Sequence, residues 1–154
     1  MLIPKKIKFT PEGYQKIVED LKALREKRKG AVVSLRTARE MGDLSENGAY
    51  KAARFELSSI DREIRRLTYL IRFGQVTAKA STNDQIDFGN TVTLDDGKKH
   101  LTFMLVGGYE SDPKQNKLSI QSPIGKAIIG KRTNDQVTVI TPTGKTTYTI
   151  LKIN

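Results

Sequence analysis

Gly42-Asp43-Leu44-Ser45-Glu46-Asn47 separates two runs of heptad-spaced apolar residues, and this interruption decides the fold. On its N-terminal side Tyr14, Ile17, Leu21, Leu24, Arg28, Ala31, Leu35 and Ala38 recur at steps of three and four, a coiled-coil seam with one basic interruption, Arg28. On its C-terminal side Tyr50, Ala53, Leu57, Ile60, Ile64, Leu67 and Ile71 repeat the spacing. Thr10-Pro11 supplies a start, the hydroxyl capping free N–H groups and the proline sitting where no N–H is needed, and Gly74 is placed to end the second run. Two heptad helices joined this tightly are expected to fold back as an antiparallel hairpin, each arm roughly 45 Å long. Both open ends then lie at the base, where the rest of the chain attaches, and the turn stands at the far tip.

The 154 residues suit one or two small domains, read here as a hairpin over 1–74 and a second domain over 75–154. There is no cysteine, which removes disulfides and thiolate metal sites and fits a reducing cytoplasm. No apolar run approaches the roughly 20 residues needed to cross a bilayer, and Met1-Leu2-Ile3-Pro4-Lys5-Lys6 lacks a signal-peptide core, so a soluble cytoplasmic protein is expected. The net charge of +10 comes from 27 basic and 17 acidic residues, and most of the excess lies before Gln75. Lys22, Arg25, Lys27, Arg28 and Lys29 on the first arm roughly face Arg62, Arg65, Arg66 and Arg72 on the second. Such a field attracts phosphate backbones or an acidic protein surface, although solvated coiled-coil flanks look the same.

Beyond Gly74 the pattern turns extended. Thr91-Val92-Thr93-Leu94, Asp95-Asp96-Gly97-Lys98 and then 100–106 read as strand, turn, strand. Lys117-Leu118-Ser119-Ile120-Gln121 is another strand, and Ser122-Pro123 opens a short helix that Gly130 closes. Two further strands, 136–141 and 145–153, flank Pro142-Thr143-Gly144. The expected class is α+β, a helical hairpin followed by a small antiparallel sheet with one short helix. His100 is the only histidine and has no motif partner, and the glycines lack phosphate-loop spacing. By exclusion this half reads as a docking module, not an enzyme.

Two readings of the tip stand side by side. Asp43 followed by Glu46 is a capping-box pattern for the second helix. Alternatively the two acids help to coordinate a divalent cation. Mg²⁺ wants six oxygens, so two exposed carboxylates hold it weakly, and another macromolecule must complete the site. Two-metal phosphoryl chemistry is the setting in which such a gift of ligands matters.

The stretch Ala38-Arg39-Glu40-Met41-Gly42-Asp43-Leu44-Ser45-Glu46-Asn47, with Tyr50, Ala52 and Ala53, resembles the tip of the Gre transcript cleavage factors, bacterial transcription elongation factors. Asn90-Thr91-Val92-Thr93-Leu94, Ser122-Pro123-Ile124 through Ala127-Ile128-Ile129-Gly130-Lys131, and Tyr148-Thr149-Ile150-Leu151 are similar to the family's second half. The resemblance implies an FKBP-like second domain that docks at the rim of the RNA polymerase secondary channel, with Ser122 and Pro123 in the docking loop. It implies that the coiled coil enters the channel and that Asp43 and Glu46 help to hold the second Mg²⁺ of the polymerase, which then cuts its own backtracked RNA. Ser45 and Asn47 would position the tip or the attacking water, and Leu44 and Tyr50 would brace the turn. Nascent RNA or channel walls are expected to meet Lys22, Arg25, Arg28, Arg36 and Arg39. No cofactor is expected to be bound by the factor alone, and a monomer is the simplest state.

The chain departs from the family pattern at Gly48-Ala49, where Ala-Glu is usual, and at Gln121, where Asp or Asn is common. Because both tip acids are present, a cleavage-competent factor is expected. The alternatives are a Gre-fold inhibitor that blocks the channel, a prolyl isomerase and a basic coiled-coil nucleic-acid binder.

Overall fold

The computed structural model describes residues 6–43 and 46–154. The elements run β1 (Ile7–Phe9), α1 (Pro11–Glu40), α2 (Gly48–Phe73), β2 (Gly74–Val76), β3 (Thr91–Asp95), β4 (His100–Val106), β5 (Lys117–Ser119), α3 (Pro123–Ile128), β6 (Gln136–Thr141) and β7 (Gly144–Ile153). They form two compact units, one over Tyr14–Phe73 and the other over 6–13 together with Gly74–Asn154. This is the expected class: a helical hairpin and an antiparallel-rich sheet domain with one short helix.

In the first unit, the helices are held antiparallel through contacts whose partners descend α2 as they climb α1. Tyr14 donates its hydroxyl to Ile71 O at 3.3 Å, Arg28 pairs with Asp61, and Asn47 reaches back to Ala38. Leu21, Ala31 and Ala38 are buried against a face that includes Ala53, Ile60 and Leu67, whereas the intervening apolar seam residues are half-buried, as a pair of helices with no third layer requires. The basic interruption of the seam is answered across the hairpin. Arg28 Nε lies 2.5 Å from Asp61 Oδ1, and this hydrogen bond, more than desolvation or the wider field, holds the Asp61 carboxyl below its ordinary range.

The second unit is built on a five-stranded sheet of order β5-β4-β3-β7-β6. Its inward positions alternate as strands with one solvated face demand: Val92 and Leu94 on β3, Val137 and Val139 on β6, Tyr148 and Ile150 on β7. With Ile86, Leu105, Ile128 and Ile153 they make the core, and α3 packs against β6. The β3–β4 turn is fastened by two aspartates: Asp95 accepts from the Gly97 N–H and Asp96 from those of Lys98 and Lys99, each at 2.8 Å. Gly97 there has φ +84°, a conformation glycine adopts without strain.

The strands are not all antiparallel, contrary to the sequence expectation. β4 pairs with β5 in parallel, and β1 pairs with β2 in parallel in a separate two-stranded sheet. A parallel pair needs a long crossover; the whole helical hairpin supplies it for β1 and β2, and the segment 107–116 does so for β4 and β5. The segment around β1 therefore belongs to the sheet unit. Phe9 is fully buried with its ring 6.4 Å from Tyr109, and a Cβ at Gly107 would lie 2.1 Å from Lys8 O, so only glycine allows this approach.

The start of α1 is held by a carboxylate distant in sequence. Thr10 Oγ1 accepts from the Gly13 N–H at 3.1 Å, the expected cap. Glu110 in turn accepts from the Thr10 N–H at 2.9 Å and from the Thr10 hydroxyl through a short bond. Thr10 is buried, so truncation leaves its donors without water or acceptor. Glu110→Ala is expected to lower stability by about 1–3 kcal/mol in chemical denaturation, the range for buried groups bonded to a charge; an unchanged midpoint would remove the clamp from the account. The Asp61 contribution, by contrast, has a pH signature. Its carboxyl is more acidic in the folded chain, so its stabilisation is present above the unfolded carboxyl pKa and lost as pH falls through the folded one. Asp61→Asn should therefore be slightly less stable than wild type at neutral pH, with the difference closing in acid.

Candidate functional site at the hairpin tip

The tip begins where α1 runs out of hydrogen-bond partners. The helix ends at Glu40, the Met41 N–H still reaches Ala38 O at 3.3 Å, and Gly42 follows with φ +122°. Asp43 and Glu46 lie beyond it, both solvent-exposed. Leu44 and Ser45, expected to brace the turn and to support the chemistry, lie outside the described residues.

The capping-box reading of Asp43 and Glu46 does not hold. α2 starts at Gly48, and Asn47 is its cap: Asn47 Oδ1 accepts from the Tyr50 N–H at 3.0 Å, while Asn47 O accepts the first helical bond from the Lys51 N–H at 3.1 Å. Asp43 is four residues short of that position, and the place where a capping box needs an acid is Tyr50. The same Asn47 side chain donates from Nδ2 to Ala38 O at 2.7 Å. One residue thus adds a second donor to the Ala38 carbonyl of α1, which also accepts from the Met41 N–H, and satisfies an orphan N–H of α2. Asparagine directly before the helical residues was the sequence signal for this cap, and the acid pattern four residues earlier obscured it.

The other expected site residues of the hairpin lie around this turn and along α1. Lys22, Arg25, Arg36 and Arg39 are exposed on α1. The Arg39 guanidinium lies 6.0 Å from the centre of the Tyr50 ring, within cation–π range, and the Tyr50 N–H donates to Asn47. Arg28 differs from the rest because its guanidinium is engaged with Asp61. Around Arg36 and Arg39 the surface is a shallow depression completed by Val32, Leu35 and Glu40.

Among the described residues no group of three or more His, Asp or Glu side chains could hold a metal. Two exposed carboxylates supply hard oxygen ligands suited to Mg²⁺ but fewer than its octahedron requires, so this donor set fits a shared ion and not a resident one. His100 is exposed on β4 opposite Asp95, as a surface histidine. No helix among the described residues is long and apolar enough to cross a membrane.

In the sheet unit, Ser122 caps α3: its Oγ accepts from the Gly125 N–H at 3.0 Å and donates to Ser119 O at 2.7 Å, with Pro123 at the first helical position and exposed. Gly125 is required there, since a Cβ would lie 2.2 Å from Ser119 O. Gln121 is also exposed on this loop, its backbone N–H bonded to Ser119 Oγ at 3.0 Å.

Residues 7–76 match the family model described as the N-terminal part of a transcription elongation factor, and residues 81–154 match that of the C-terminal part of GreA/GreB. The chain is 39% identical over 150 residues to the transcription elongation factor GreA of Novosphingobium aromaticivorans, covering 96% of this chain and 95% of that one. It is 40% identical over 153 residues to GreA of Neorickettsia sennetsu, covering 97% and 96%. Among solved structures, GreA factor homolog 1 (Gfh1) of Thermus thermophilus is 26% identical with a TM-score of 0.46, covering 97% of this chain and 99% of that one. With both halves matched in order and relatives aligned over nearly their whole length, the chain belongs to the GreA/GreB family of transcription elongation factors.

Proposed function

We propose that this elongation factor inserts its helical hairpin into the secondary channel of bacterial RNA polymerase and stimulates the polymerase's own cleavage of backtracked nascent RNA. The observation that carries the reading is the tip: Asp43 and Glu46 are exposed on a turn whose helix cap is supplied by Asn47, so α2 does not need either acid as its cap. Their carboxylates are offered as oxygen ligands to a second Mg²⁺ at the polymerase active site, where the ion's chemistry is to activate water and to offset charge on the phosphate. The described residues hold no catalytic constellation, and the polymerase completes the coordination shell and contributes the RNA. Ser122 and Pro123, on a loop stiffened by the α3 cap, are the docking residues at the channel rim. Arg36 and Arg39, on the last turns of α1, meet the phosphates of the backtracked RNA or the channel wall, with Lys22 and Arg25 behind them. The factor works as a monomer in the cytoplasm.

With stalled, backtracked complexes and Mg²⁺, the wild-type factor should release short 3′ RNA fragments. Asp43→Asn and Glu46→Gln should each slow this by at least about 100-fold, the upper end of what loss of a mere second-sphere partner costs, without loss of polymerase binding. Undiminished cleavage by both variants would reject their roles, and slowed nucleotide addition with no fragments would identify a channel-blocking inhibitor. Arg36→Glu and Arg39→Glu should weaken cleavage more at low salt than at high salt, because counter-ions screen what the reversal disturbs; full activity in both at every ionic strength contradicts the RNA contact.

A further inference from the structure

β4 and β5 run parallel, so both strands deliver their loops at the same end of the sheet, a placement that an antiparallel pair does not give. Their last paired residues are Val106 and Ser119, and the Ile120 N–H still donates to Val106 O at 2.9 Å. Beyond that point the loop after β4 and the loop that carries Ser122 and Pro123 lie side by side: a Cβ at Gly108 would stand 3.0 Å from Gln121 Oε1 and 3.7 Å from Ser119 Oγ. Tyr109 follows on this turn, 57% exposed. The turn beneath it is closed. The Glu110 N–H donates to Gly107 O at 3.1 Å, the Glu110 carboxylate accepts from Thr10, and the buried Phe9 ring lies 6.4 Å from the Tyr109 ring with 29° between their planes.

Resting on the function proposed above, we infer that the polymerase-docking surface is made of two loops, and that Tyr109, on the loop after β4, is its aromatic anchor beside Ser122 and Pro123. The polymerase surface that receives Ser122 and Pro123 takes the Tyr109 ring into an apolar recess. Tyrosine suits this place because its ring offers a large contact area at the cost of only two side-chain torsions. Held on a closed turn, it has little freedom left to lose on binding, so more of the burial appears as affinity. The surface is also uncharged where the loops meet: Gly108, Tyr109, Gln121, Ser122 and Pro123 carry no formal charge, and the one carboxylate of the turn, Glu110, is committed to Thr10. The contact is therefore apolar and hydrogen-bonding in character, in contrast to the arginines of α1. The sheet has a second exposed apolar side chain, Ile140, which is 70% exposed on β6. β6 and β5 are opposite edges of the sheet, so Ile140 stands outside the two-loop surface and serves as the control.

Wild type, Tyr109→Phe, Tyr109→Ala and Ile140→Ala are each titrated into backtracked polymerase complexes, and the maximal cleavage rate and the half-saturating concentration are read. Tyr109→Ala should need about 10- to 100-fold more factor for half-saturation and still reach the wild-type rate, whereas Tyr109→Phe and Ile140→Ala should stay within about 3-fold of wild type. Because Tyr109→Ala also removes a neighbour of Phe9, hydroxyl-radical footprinting of the wild-type factor gives a reading that needs no variant. Tyr109 should be oxidised in the free factor and protected in the polymerase complex, with Ile140 oxidised in both. Unchanged oxidation of Tyr109 in the complex overturns the inference, as does a Tyr109→Ala deficit in the maximal rate alone. Protection of Tyr109 in the free factor as its concentration rises also overturns it, by giving the surface to a second copy of the chain. Wild-type factor that neither binds polymerase nor releases fragments rejects the proposed function and this inference with it, whereas fragments from wild type and Tyr109→Ala at equal half-saturation reject this inference alone.

Discussion

An α-helix ends with carbonyls that have no partner and begins with N–H groups in the same state, and in a tight helical hairpin both sets meet at one turn. Here the Asn47 amide bonds on both sides of the turn, donating to Ala38 O, which also accepts from the Met41 N–H, and accepting from the Tyr50 N–H. Because asparagine supplies the cap, the two acids of the turn are not needed for it, and the same amide bonds to Ala38 at the end of α1. Capping of this kind contributes only about 1 kcal/mol per bond. Its importance lies in where it acts, at the end of the seam where Ala38 and Ala53 are the last buried apolar residues and packing offers the least restraint.

At the opposite end of α1 the same problem is solved with longer reach. Thr10 caps the helix, and Glu110, a hundred residues along the chain, fixes Thr10. The parallel pairing of β1 with β2, the buried Phe9 and the close approach of Gly107 to Lys8 gather the start of α1 into the sheet unit. The helix is thus anchored at one end by a network that is mostly buried and tied at the other by a single amide. Between them the Arg28–Asp61 pair repairs the one polar break in the seam, although a solvent-exposed ion pair of this sort adds little to stability on its own.

Local pattern carried most of the fold. The heptad spacing gave both helices, β-branched runs between turn residues gave β3, β4, β6 and β7, and Ser122-Pro123 gave α3. β1 was illegible because three residues before a helix carry no period, and because its partner β2 is more than sixty residues away. The parallel β4–β5 pairing was hidden for a related reason: alternation reports which face of a strand is buried and says nothing of the direction of its neighbour. At the tip, the spacing of Asp43 and Glu46 left a capping box open as one reading, and the structure gives the cap of α2 to Asn47. Glu110 had no motif at all, since a carboxylate that reaches a helix start across the fold looks like any surface acid in the chain.

On the function proposed above, the factor contributes two carboxylates to a metal site that the polymerase completes. Belonging to the GreA/GreB family supplies the setting, and the proposal draws its chemistry from the exposed acids on a turn capped by another residue. Its central claim is that Asp43 and Glu46 add ligands to an ion bound by the polymerase, which makes that ion easier to retain. The most direct measurement is the Mg²⁺ concentration that gives half-maximal cleavage in backtracked complexes, with and without saturating factor. The account predicts a shift to lower Mg²⁺ with the wild-type factor and none with Asp43→Asn; a factor that raised the cleavage rate while leaving the Mg²⁺ midpoint where it was would contradict it.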